Sequence, residues 1–85
     1  MEHRSHHRRG AVHSAEYQYL LKRLRDARHE AGMTQVQVAK ALRRPQSFVT
    51  KCELGERRID PIDLQRFAKL YRRPLSFFLP RKAGA

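Results

Sequence analysis

TQVQVAKALRRPQSFVTKCELG, residues 34–55, divides into two short helices and a tight turn. The pattern predicts helices over Gln35–Leu42 and Gln46–Leu54, joined by Arg43-Arg44-Pro45. Thr34 is placed to cap the first helix, and Gln37 three residues on completes a capping box. Val38, Ala39 and Leu42 make a narrow apolar face on the first helix, and Val49 and Cys52 do the same on the second. The other face of the second helix carries Gln46, Ser47, Thr50 and Lys51 at i, i+1, i+4 and i+5. A helix that buries one side and offers Gln, Ser, Thr and Lys on the other is shaped to read base edges in a DNA major groove.

On the N-terminal side, Ser14 is placed to cap a helix through AEYQYLLKRLRDARHEA, with Glu16 in its first turn and Gly32 as its left-handed stop. Tyr17, Leu20, Leu21, Leu24, Ala27 and Ala31 recur at helical spacing along it. On the C-terminal side a loop carries Arg57 and Arg58. Asp60 then caps a further helix with Pro61 at its first position, and Leu64, Phe67, Ala68 and Tyr71 form its inward face. Pro74 ends that helix, and Leu75–Leu79 adds one helical turn before Pro80. The expected fold is all-α, with five helices in residues 14–80. No internal repeat organises the chain. Residues 1–13 read as a flexible basic, His-rich arm and residues 81–85 as a tail.

Nineteen Lys and Arg against eight Asp and Glu leave a formal net charge of +11 on 85 residues. Such an excess attracts polyanions, nucleic acid before an anionic membrane. An inert basic surface is the plain alternative. A single cysteine, Cys52, excludes an internal disulfide and reads as a small buried hydrophobe. No apolar run reaches membrane-spanning length and no secretory h-region opens the chain, so a soluble, cytoplasmic protein is expected. No Ser/His/Asp or Cys/His constellation, glycine-rich phosphate loop or helical metal pair is present, so neither catalysis nor a cofactor is expected. His3, His6 and His7 are too loosely spaced, with no supporting cysteine or carboxylate cluster, to predict a metal site.

Tyr17–Leu79 resembles the lambda-repressor and Cro-like (XRE-like) helix-turn-helix family. The residues that carry the resemblance are LKRLRDARHEAGMTQVQVAKAL followed by PQSFVTKCELGERR, above all the Thr-Gln helix start, Ala39 at the helix crossing and the run Glu53 to Arg58. The resemblance implies a five-helix domain that binds double-stranded operator DNA, usually as a two-fold homodimer. By the same resemblance Gln46 and Ser47 read base edges, and Thr50 and Lys51 reach bases or the adjacent backbone. Gln35, Arg57 and Arg58 hold phosphates, and Arg44 is expected to join them on its charge. The closing segment, with Leu75, Phe77 and Phe78, is the expected dimer surface, and Phe77 is its outward anchor. Arg43 and Arg72 stand where the family usually has glycine. Either both keep a positive φ, at a cost of roughly 1 kcal/mol, or the turns differ.

Two other function classes stay open at the level of sequence. The same fold serves as the antitoxin half of toxin–antitoxin pairs, or as an adaptor for another regulatory protein. A neighbouring toxin-like reading frame would favour that class. Non-specific nucleoid or RNA binding follows from charge alone. It predicts that Gln46→Ala changes little while Arg57→Ala weakens every sequence alike.

Overall fold

Helix punctuation sets the architecture. In the computed structural model, which describes residues 14–80, the elements are α1 (Ala15–Glu30), α2 (Gln35–Leu42), α3 (Gln46–Leu54), α4 (Pro61–Tyr71) and a closing 3-10 turn (Leu75–Phe77). The N-terminal arm and the C-terminal tail lie outside the described residues. Ser14 accepts a hydrogen bond from the Tyr17 amide at 3.1 Å to start α1. Thr34 and Gln37 form the complete capping box of α2. Asp60 caps α4 by accepting from the Asp63 amide at 2.8 Å, with Pro61 at the helix start. Each side-chain oxygen satisfies an amide that the first helical turn leaves without an internal partner. Gly32, at φ 68°, supplies the left-handed exit from α1.

The core fills from all four helices. Leu21 and Leu24 of α1, Val38 of α2, Val49 and Cys52 of α3 and Phe67 of α4 are buried, and Phe78 closes the bottom. Ala31, placed on the α1 stripe by spacing, caps the helix instead and is exposed. Cys52 is fully buried, and desolvation pushes its thiol up to about 11, so it stays protonated and inert at neutral pH.

The chain has four α-helices rather than five among the described residues. Only three residues of 3-10 helix follow Pro74, and so short a turn presents one large side chain inward. Phe78 takes that place at 0% exposure, while Leu75 and Leu79 face solvent at 42% and 46%. Phe78 therefore belongs to the core and is withdrawn from the expected dimer surface. Phe77 is half-buried, meeting Phe78 edge-on at 5.1 Å.

One short motif does repeat. Arg43-Arg44-Pro45-Gln46-Ser47-Phe48 and Arg72-Arg73-Pro74-Leu75-Ser76-Phe77 build the same turn. The first arginine of each is left-handed, Arg43 at φ 59° and Arg72 at φ 58°. The second donates its amide five residues back, Arg44 to Ala39 at 2.9 Å and Arg73 to Ala68 at 3.0 Å. Its guanidinium lies over the phenylalanine four residues on, at 4.1 Å for Arg44 on Phe48 and 4.8 Å for Arg73 on Phe77. This hydrogen-bond pattern closes a helix through a left-handed residue that is usually glycine. The exposed Arg43 side chain gives little packing in return. Arg43→Gly is accordingly expected to raise unfolding free energy by about 1 kcal/mol, read as a higher urea midpoint with unchanged slope. A lower midpoint would mean that the arginine side chain, not its backbone, decides the stability of the turn.

Candidate nucleic-acid interface

A buried ion pair sets how α3 sits on the rest of the domain. Glu53 points inward from α3, one position after Cys52, and is 3% exposed. Its carboxylate accepts from Arg28 twice, from Nε at 2.7 Å and Nη2 at 3.0 Å. This is the fork-to-fork geometry in which a buried carboxylate and guanidinium satisfy each other. The pairing raises the pKa of Arg28 above its ordinary value. Arg28 also donates to the Met33 carbonyl at 3.1 Å, and Arg25 donates to the Glu53 carbonyl at 3.3 Å. The end of α3 is thus tied to α1 and to the α1–α2 connection.

The same network reaches the outer face. Gln35 at the start of α2 donates from Nε2 to Glu53 at 3.1 Å, and its Oε1 accepts from Thr50 Oγ1 at 2.7 Å. Both ends of the Gln35 amide are therefore engaged within the protein. Thr50 is half-buried and spends its hydroxyl hydrogen on Gln35. Gln46, Ser47 and Lys51 differ in kind: all three are exposed, and none of their side chains makes a hydrogen bond or ion pair among the described residues. The four base-contact candidates separate into three unengaged side chains and one that locks α3 onto α2.

A second cluster flanks the start of α3. Phe48 is 6% exposed and stacks parallel to Phe67, with centroids 6.1 Å apart. The Arg44 and Arg57 guanidiniums lie 4.1 Å and 5.0 Å from the Phe48 ring centroid, within cation–π range. Arg44 also donates to Asp63 at 3.3 Å. Arg57 and Arg58 are both exposed. The loop that carries them is fastened to α3 by the Glu56 and Arg57 amides, which donate to the Lys51 carbonyl at 2.9 Å and 3.1 Å. Gly55, at φ 82°, makes that reversal. Two arginines from opposite ends of α3 are thereby drawn onto one aromatic platform.

Sequence reasoning did not see the arginines above Phe48. The available signal was the Arg-to-Phe spacing of four residues, which occurs twice. It also passed over Glu53. The signal there was an acid at i+4 from Val49, on a face that otherwise reads apolar. Such a residue needs a buried cationic partner.

Among the described residues, no group of three or more His, Cys, Asp or Glu side chains is disposed to hold a metal. The four histidines of the arm lie outside the described residues. No helix among them is long and apolar enough to cross a membrane.

A family model described as a helix-turn-helix domain matches residues 20–76. The matched span runs from the first buried leucine of α1 to the closing turn. No curated protein matches, and no solved structure matches.

Proposed function

The chain belongs to this helix-turn-helix domain family, and from that premise we propose that it is a sequence-specific, DNA-binding transcriptional regulator that represses as a homodimer on a palindromic operator. One observation carries the reading. α3 is held on its inner side by Val49, Cys52 and the Glu53–Arg28 pair, while the side chains of Gln46, Ser47 and Lys51 stand exposed with no partners among the described residues. Polar side chains kept out of a protein's own hydrogen bonding are free to pair with base edges.

In this reading Gln46, Ser47 and Lys51 read bases. Thr50, already spent on Gln35, sets the depth and angle of α3, with its remaining lone pair open to a base or sugar. Arg44, Arg57 and Arg58, with the second Gln35 amide hydrogen, take phosphates and fix the register. Exposed Leu75 and Leu79 beside Phe77 support a two-fold contact through the closing turn. The reading implies a cytoplasmic protein and involves no catalytic chemistry.

Selection of bound duplexes from a random pool at physiological salt tests it. A palindrome with half-sites about one helical turn apart is the expected product. Absence of enrichment, with binding that collapses as salt rises, would reduce the interaction to charge. On the selected site Gln46→Ala should cost about 1–3 kcal/mol of binding while leaving affinity for random duplex nearly unchanged. Equal losses on both duplexes would remove Gln46 from base reading.

A further inference from the structure

A hollow of about 350 Å³ lies between the C-terminal end of α2 and the outer side of α4. Its floor is apolar, made by Ala41, Leu42 and Leu70, and its rim is basic, made by Arg43, Arg66 and Lys69. A second hollow of about 360 Å³ continues it along α4 past Ile62 and Gln65, sharing Arg66 and Lys69. Ile62, Arg66, Lys69 and Leu70 fall at i, i+4, i+7 and i+8, so one helical stripe supplies most of the surface. Ile62 is 57% exposed, a large apolar side chain with nothing over it among the described residues.

The chemistry of this groove differs from that of the α3 face. None of the candidate base or phosphate residues lines it. No carboxylate lines it, and none of its three cations has an ion-pair partner among the described residues. A phosphate backbone would use the cations and leave the leucine floor unfilled. A small neutral ligand would fill the floor and leave the cations unanswered. What answers both is a protein segment with apolar side chains flanked by Asp or Glu.

The chain's own ends are poor occupants. Residues 1–13 carry three arginines and four histidines against one acid, and residues 81–85 add Arg81 and Lys82. A second copy, with a net charge of +11, offers the wrong sign as well.

We propose that the α2–α4 groove is a docking site for an acidic amphipathic helix of a different protein, which seats a leucine-sized side chain on Leu42 and Leu70 and pairs its carboxylates with Arg43, Arg66 and Lys69. The mode is a helix in a groove, with charge complementarity setting the partner's sign. Nothing in it depends on DNA reading by α3. A regulator able to touch DNA and an acidic protein at once can recruit the second to the first.

Methyl and amide chemical-shift mapping on the full chain tests this. The probe is a synthetic helical peptide with Leu at i, i+3, i+4 and i+7 and Glu at the other positions. Saturable shifts confined to Ala41, Leu42, Ile62 and Leu70 are expected. The Leu→Ser version of the peptide and the Glu→Lys version should each bind at least about tenfold more weakly. Arg66→Gln with Lys69→Gln, both at exposed positions, should weaken the Leu/Glu peptide by about tenfold while the spectrum elsewhere stays native. Absence of shifts with the Leu/Glu peptide, or equal binding of the Leu→Ser peptide, overturns the proposal. So does random duplex DNA that moves the same methyl signals and displaces the peptide, which would make the groove a nucleic-acid surface. Operator selection by α3 is read in a separate experiment, so either reading can fail alone.

Discussion

Glu53→Ala is expected to cost about 3–5 kcal/mol of stability, because it leaves the guanidinium of Arg28 buried without its partner. A domain of this size has only about 4–13 kcal/mol in total, so the variant should be largely unfolded near 37 °C or shift its urea midpoint far down. The Arg28 side chain is 12% exposed and that of Glu53 is 3%, which removes the water that would otherwise stabilise a lone charge. Gln35 loses its acceptor in the same step, and with it the hold on Thr50. The double variant Arg28→Met, Glu53→Leu separates the charge from the packing. Replacing both partners by apolar residues of similar volume is often neutral or stabilising, so most of the lost stability should return. DNA specificity should not return with it, since Gln35 and Thr50 would still lack their anchor. An equilibrium urea titration of the three proteins decides the matter: a loss below about 1 kcal/mol for Glu53→Ala would show that Arg28 finds water or another acceptor.

Phe48→Ala is the second large effect, at about 3–5 kcal/mol, the usual cost of emptying an aromatic site in a packed core. Phe48 is 6% exposed and lies flat on Phe67, which itself stacks on Tyr71 at 6.1 Å. The cavity would open against Phe67 and take away the ring it stacks on. Phe48→Leu keeps most of the buried volume and removes the ring beneath Arg44 and Arg57. Its fold should survive, but both guanidiniums lose a contact worth about 0.5–1 kcal/mol each. If those arginines hold phosphates, Phe48→Leu should weaken binding to all duplexes by a common factor and leave the order of sequence preference intact. A change in preferred sequence without loss of overall affinity would instead assign Phe48 a role at the bases. Thermal unfolding and duplex titration on the same preparations give both answers.

The local parts of this fold were legible in the sequence, and the long-range parts were not. Thr34 with Gln37, Asp60 with Pro61, and Gly32 act within a few residues of themselves, so their chemistry can be read off in order. The apolar stripes of α1 and α4 follow from helical spacing alone. The Arg28–Glu53 pair joins residues far apart in the chain, and neither neighbourhood names the other. The Arg57–Phe48 contact likewise needs the loop after α3 to fold back. Pro74 and Pro80 bracket an apolar run, and brackets do not say how many of its residues face inward. Phe78 took the single inward place, and Leu75 and Leu79 were left in water. For the candidate site, spacing put Gln46, Ser47, Thr50 and Lys51 on one side of α3. It could not tell Thr50 from the others, because the difference lies in Gln35, one helix away.

The repeated Arg-Arg-Pro-x-Ser-Phe turn bears on how the chain acquires its shape. Every contact that closes each turn, from the left-handed arginine to the guanidinium over its phenylalanine, lies within about one helical turn along the chain on either side. Closing so short a loop takes little chain entropy. The bend between α2 and α3 can therefore form before α1 and α4 arrive, and the same holds for the corner after α4. Folding is then a matter of docking preset corners, the low-contact-order route that gives small helical domains their speed. The buried Arg28–Glu53 pair, which needs two distant segments in place, would be among the last contacts made.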